Sequence, residues 1–127
     1  MADILVIDDD VEFRAMISDY FTDLGHTLRS ANNGREGIAK ARAIKPDMIF
    51  LDVMMPDVGG IEMLRDLQAE ENTRDIPVLV ITGAYFNKSM SEFFKQEPNC
   101  REFISKSVDM PNFREKVEKI LAAKTGK

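Results

Sequence analysis

The sequence predicts an α/β fold, a doubly wound (βα)5 domain with a five-stranded parallel sheet in the order 2-1-3-4-5. Three observations predict it. Short, wholly apolar runs alternate along the chain with segments that repeat at helical spacing. The runs stop abruptly at chemically useful side chains, Asp8, Asp52, Thr82 and Lys106. The length, 127 residues, suits one domain with a real core. Strand–helix alternation implies a parallel sheet covered on both faces by right-handed crossovers. In the doubly wound order, strands 1 and 3 lie side by side at the point where the winding reverses.

The elements follow in order. Ile4 to Ile7 form a first strand that runs into Asp8-Asp9-Asp10. Val11, Phe13, Met16, Ile17, Tyr20, Phe21 and Leu24 recur at helical spacing, and Gly25 closes that helix. His26 to Ala31 read as a second strand near a sheet edge, followed by the turn Asn32-Asn33-Gly34. Ile38, Ala39, Ala41, Arg42 and Ile44 suggest a second, weaker helix stopped by Pro46. Met48 to Leu51 are apolar at every position, as in a strand buried on both faces, and Asp52 ends them. Ile61, Leu64 and Leu67 carry a third helix, with Met63 beside them. Val78 to Ile81 form a fourth strand ending at Thr82-Gly83-Ala84. Met90, Phe93 and Phe94 belong to a fourth helix ended by Pro98. Phe103 and Ile104 make a short fifth strand ending at Ser105-Lys106. Pro111 starts a last helix with Phe113, Val117, Ile120 and Leu121 on one face. The domain is expected to span 1–124, with 125–127 a short tail and no output domain after it.

Composition narrows the function. Hydrophobic residues make up 44% and charged residues 31%, with a net charge of -5. An acidic balance argues against direct nucleic-acid binding. The single cysteine, Cys100, permits no internal disulfide and fits a reducing cytoplasm; it reads as a small buried filler. The first apolar run is too short for a signal peptide or a membrane span, so no membrane insertion is expected.

The strand ends carry the chemistry. A carboxylate at the end of a buried strand is costly to desolvate unless something pairs with it. Asp8, Asp9 and Asp52 should converge where strands 1 and 3 meet, with Thr82 and Lys106 on the same rim. Two carboxylates ~4 Å apart repel by about 4 kcal/mol at an effective dielectric near 20. They need a cation, and a few oxygen ligands suit Mg²⁺, which keeps several waters. Asp10 reads instead as the helix cap. Asp52 is a candidate nucleophile, because a carboxylate can attack phosphorus to give an acyl phosphate. Phosphoryl transfer needs mainly positioning and charge neutralisation, which Lys106 and the Thr82 hydroxyl could supply.

Asp8-Asp9 after strand 1, Asp52 followed by Met55-Pro56 and Gly60, Thr82 after strand 4 and Lys106 after strand 5 resemble the receiver domain of bacterial response regulators. The resemblance covers essentially the whole chain and implies a flavodoxin-like fold of the stand-alone, chemotaxis-regulator type. It implies that Asp52 accepts a phosphoryl group from a phosphohistidine on a sensor histidine kinase or phosphotransfer protein. It implies Mg²⁺, or Mn²⁺, on Asp9 and Asp52, on Asp8 through water, and on the Met54 backbone carbonyl. Lys106 and Thr82 would hold phosphoryl oxygens. Phe103 matches the aromatic switch position, so that phosphorylation would draw Thr82 inward, the ring would follow, and the surface of helix 4, strand 5 and helix 5 would change for an unknown downstream protein.

The chain also departs from the family pattern. Ser107 follows Lys106 where the family usually has proline after a cis bond; a cis bond before a non-proline residue costs about 2.5–4 kcal/mol, so a trans bond is expected. Glu97-Pro98-Asn99-Cys100-Arg101-Glu102 replaces the usual Gly-Ala lead into strand 5, and Gly83 stands where alanine is common. Met54 and Ala84 flank the site by analogy and offer no polar group to orient water, so slow autodephosphorylation is expected. An alternative is a phosphorylation-independent interaction module on the same fold. An aspartyl phosphatase of the haloacid dehalogenase type would need a second acid at Met54, and a flavodoxin would place flavin phosphate against an acidic loop. His26, the only histidine, lies away from the site loops.

Overall fold

In a computed structural model that describes residues 2–53, 58–83 and 88–125, strands and helices alternate throughout. They are β1 (Asp3–Ile7), α1 (Val11–Asp23), β2 (Thr27–Ala31), α2 (Gly34–Ile44), β3 (Met48–Asp52), α3 (Gly60–Gln68), β4 (Val78–Thr82), α4 (Lys88–Lys95), β5 (Cys100–Ser105) and α5 (Met110–Thr125). The strands form one parallel sheet in the order β2-β1-β3-β4-β5, as expected. Every residue of the inner strands β3 and β4 is buried, which is why both read as unbroken apolar runs. The edge strand β2 alternates between exposed and half-buried until Ala31.

The sheet divides the core into two. Leu5, Ile7, Ile49, Leu51, Val78 and Val80 pack with α2 and α3, and with Phe94 of α4. Ile4, Val6, Phe50, Leu79 and Ile81 pack on the other face with Phe13, Ile17 and Phe21 of α1 and Phe113, Val117 and Ile120 of α5. Phe21, Phe50 and Phe113 meet pairwise at 5.1–5.5 Å between ring centres in tilted and edge-on contacts that hold α1 and α5 to β3.

Local chemistry sets the helix ends. Asp10 caps α1, its side chain accepting from the Glu12 and Phe13 amides. Gly25 follows with φ 98°, the left-handed conformation that glycine adopts without penalty. Asn33 caps α2, which therefore starts at Gly34, earlier than its apolar residues suggest. Lys45, at φ 52°, ends that helix just before Pro46. On α3 the buried side chains are Met63, Leu64 and Leu67, while Ile61 is only partly covered. The inward face is thus set by Met63, not Ile61. Phe93 of α4 is 56% exposed, so that helix turns inward through Phe94. The last helix runs through Thr125, one residue past the boundary expected at 124.

Strand β5 is longer than the Phe103–Ile104 core of its pattern. Its register against β4 slips once: Val78 faces Cys100, but Leu79 faces Glu102. Arg101 is the extra residue, a β-bulge. Cys100 and Phe103 both join the α2–α3 side of the core, whereas Ile104 joins the α1–α5 side. The Glu97–Glu102 lead-in is anchored by buried Asn99. It donates to the Leu64 carbonyl at 3.0 Å and accepts from Gln68 at 2.8 Å, while Glu97 accepts from Arg65 and Gln68.

Candidate functional site

The C-terminal ends of β1, β3, β4 and β5 point to one rim of the sheet. Asp8 follows β1 and is 1% exposed; Asp52 closes β3 and is 3% exposed. Asp9, the next residue after Asp8, is exposed. Ligand oxygens of Asp8, Asp9 and Asp52 all lie within 4.8 Å of one another. The sequence puts Asp8 and Asp9 there because β1 is hydrogen-bonded to β3, with Ile7 opposite Leu51.

Lys106 reaches this cluster from the loop after β5. Its Nζ lies 2.9 Å from Asp8 Oδ2, 3.2 Å from Asp8 Oδ1, 3.4 Å from Asp52 Oδ2 and 3.8 Å from Asp10 Oδ2. Its backbone amide donates to the Thr82 carbonyl at 2.9 Å, which ties the two strand ends together. Gly83 lies against its stem: a Cβ there would sit 3.4 Å from Lys106 Cδ. No cis peptide bond occurs among the described residues, so Lys106–Ser107 is trans, and the ammonium reaches both acids from that backbone. Thr82, the last residue of β4, is fully buried and paired in register with Ser105.

The electrostatics are those of a crowded acidic pocket. Burial pushes the Asp8 carboxyl from 3.8 up to about 6; the Asp10 amide and Lys106 pull it back, while the neighbouring Asp52 carboxylate adds to the rise. Burial alone would lower the Lys106 ammonium, but Asp8 and Asp52 outweigh it and its pKa is raised. Asp8 Oδ1 accepts from the Asp10 amide at 2.9 Å. Asp8 Oδ2 is buried and, although close to Lys106, lies off the line of any hydrogen bond. A buried carboxylate oxygen in that state among three acids has the valence and the hardness to take a divalent cation. The donor set fits Mg²⁺ or Mn²⁺. Met54, expected to add a backbone carbonyl, lies outside the described residues, as do Met55, Pro56 and Ala84.

Phe103 is 3% exposed and stacks on Phe94, with ring centres 5.3 Å apart and planes at 26°. His26 lies at the opposite end of the strands, accepting from the Ala2 amide at 3.2 Å. Three site features escaped the sequence. Phe13 lies under the Lys106 ammonium, 4.6 Å from ring centre to Nζ. Arg14 donates to the Asp8 carbonyl at 2.5 Å. Asp10, read only as a cap, also faces Lys106. The helical spacing marks Phe13 as inward-facing, but nothing in the spacing says which loop its ring will meet.

Comparison with known proteins gives a consistent result. A family profile, the response regulator receiver domain, matches residues 4–118. The chain is 29% identical over 122 residues to the protein PilH of Pseudomonas aeruginosa, covering 96% of this chain and 99% of that one. It is 29% identical over 118 residues to the polar-differentiation response regulator DivK of Brucella anthropi, covering 93% of this chain and 94% of that one. The chemotaxis protein CheY4 of Vibrio cholerae superposes with a TM-score of 0.83 at 25% identity, over 94% of this chain and 98% of that one.

Proposed function

The chain belongs to the response regulator receiver domains, and on that premise we propose that Asp52 is a phosphoacceptor charged by a phosphohistidine of a sensor histidine kinase or phosphotransfer protein. One observation carries the reading: the carboxylates of Asp8 and Asp9, just after β1, and of Asp52, at the end of β3, come within 4.8 Å of one another, Lys106 from the loop after β5 reaches Asp8 and Asp52 at 2.9 and 3.4 Å, and a buried Asp8 oxygen there lacks a hydrogen bond. An Asp52 oxygen attacks phosphorus, the P–N bond to the donor imidazole breaks, and the imidazole leaves with that electron pair and picks up a proton. The product is an acyl phosphate on Asp52.

Asp8, Asp9 and Asp52 would hold Mg²⁺ or Mn²⁺, with Met54 adding a carbonyl. Such an ion supplies charge neutralisation for the transferring phosphoryl oxygens. Lys106 already bridges Asp8 and Asp52, and is placed to pair with an oxygen of the phosphoryl group as the Asp52 charge is used in bonding. The new group adds about -1.5 to -2 charges. It offers the Thr82 hydroxyl a strong acceptor, and a pull on the end of β4 would loosen the place of Phe103, which pairs with Val80 two residues before Thr82. Phe103 is stacked on α4 through Phe94, so its movement would be felt on the face made by α4, β5 and α5, where a downstream protein would read it.

The test is incubation with acetyl phosphate, with and without Mg²⁺, followed by intact mass. The expected result is one added phosphoryl mass that needs the metal and is absent in Asp52→Asn. An adduct that persists in Asp52→Asn would move the acceptor elsewhere. No adduct under trapping conditions would favour a phosphorylation-independent module.

A further inference from the structure

Lys106 sits on a loop, and the residue after it, Ser107, puts no ring restriction on the backbone. Its long side chain must therefore be held by what it touches. Asp10 lies farther off, at 3.8 Å, and the close partners of the ammonium are Asp8 and Asp52, at 2.9 and 3.4 Å. Asp8 and Asp52 are the groups that metal and phosphoryl binding would engage, so they cannot alone keep Lys106 in place through a reaction. The ammonium also lies over the Phe13 ring, 4.6 Å from its centre. That ring is 8% exposed and belongs to the core beneath α1 and α5. Its backbone is set in the first turn of α1, where the Phe13 amide donates to Asp10, the residue that caps the helix.

We propose that Phe13 is a positioning residue for phosphoryl transfer, holding the Lys106 ammonium over its ring face and aimed at Asp52. The inference rests on the phosphoacceptor reading above. An aromatic face attracts a cation and, unlike a carboxylate, makes no claim on the metal or the phosphoryl group. It can steady Lys106 both before and after Asp52 is modified. A leucine would fill much of the same space but offer no such face.

The experiment is a double-mutant cycle on the rate of Asp52 labelling by acetyl phosphate with saturating Mg²⁺. The chains are wild type, Phe13→Leu, Lys106→Met and the double variant, each checked for cooperative thermal unfolding; Phe13→Met replaces Phe13→Leu if the latter does not fold. Phe13→Leu should slow labelling about 5-fold, the scale of a partly desolvated cation–π contact. In the Lys106→Met background the same change should have no effect, and Phe13→Tyr should keep the wild-type rate. Equal slowing in both backgrounds would make Phe13 merely structural and overturn the proposal while leaving the phosphoacceptor reading intact. Absence of labelling in wild type would instead overturn that reading, and this one with it.

Discussion

At the scale of single residues, Asp8 carries the clearest physical consequence. Its carboxyl is raised from 3.8 to about 6, chiefly by burial, so the folded protein binds a proton there more tightly than the unfolded chain does. Stability from this group is therefore present at low pH and is lost as pH rises through the window from about 4 to 6. The difference in unfolding free energy between wild type and Asp8→Asn, measured without metal across pH 4–7.5, should shift against wild type as pH rises. Mg²⁺ should raise the wild-type melting temperature more at pH 7.5 than at pH 5, because the ion competes with that proton. A flat difference curve would mean that burial does not raise the Asp8 carboxyl. Most of this site was legible beforehand, because acids and a lysine at strand ends are placed by topology alone. Asp8, Asp9, Asp52, Thr82 and Lys106 each lie at or just after the end of a strand. The Phe13–Lys106 contact was not legible, since it joins a helix face to a distant loop and depends on how α1 lies across the sheet.

At the scale of elements, strands were easier to read than helix faces. A strand buried on both sides admits only apolar residues, so β3 and β4 announced themselves. Helix α2 begins at its Asn33 cap, earlier than its apolar spacing suggested, because the glycines of its first turn carry no apolar signal. Gly37 shows why: a Cβ there would lie 2.6–2.9 Å from three side-chain carbons of the fully buried Ile7. Glycine to alanine inside a helix gains at most about 1 kcal/mol of propensity, whereas overpacking costs about 1–3 kcal/mol. Ile7 has no room to yield, so Gly37→Ala should lower the urea midpoint. The lead into β5 had no readable pattern because its order comes from tertiary hydrogen bonds to α3, not from periodicity. Asn99→Ala would remove the side-chain donor to the Leu64 carbonyl and one of the two acceptors of the Gln68 side-chain amide, which keeps Glu97; two hydrogen bonds at about 0.5–1.5 kcal/mol each should destabilise by about 1–3 kcal/mol with the m-value unchanged.

At the scale of the whole molecule, one sheet separates two cores, and few side chains report on both. Cys100 reports on the α2–α3 side. It is 6% exposed, and burial pushes its thiol up to about 11. A disulfide reagent at pH 8 should label it only as fast as the domain opens, so labelling should accelerate with urea in step with global unfolding. Fast labelling in native buffer would mean that β5 opens alone. The sheet order was predictable because alternation leaves few parallel topologies, and among those the observed order brings the acids of β1 beside Asp52. The bulge at Arg101 was not predictable, yet it turns strand β5 into a question of parity. Cys100 and Phe103 are three positions apart, an odd count that in an unbroken strand would send them to opposite faces. The surplus residue makes the count effectively even. Removing Arg101 should therefore be tolerated, with cooperative unfolding and Asp52 labelling both kept. Removing Ile104 should abolish both, because every side chain from there to Lys106 would change sides.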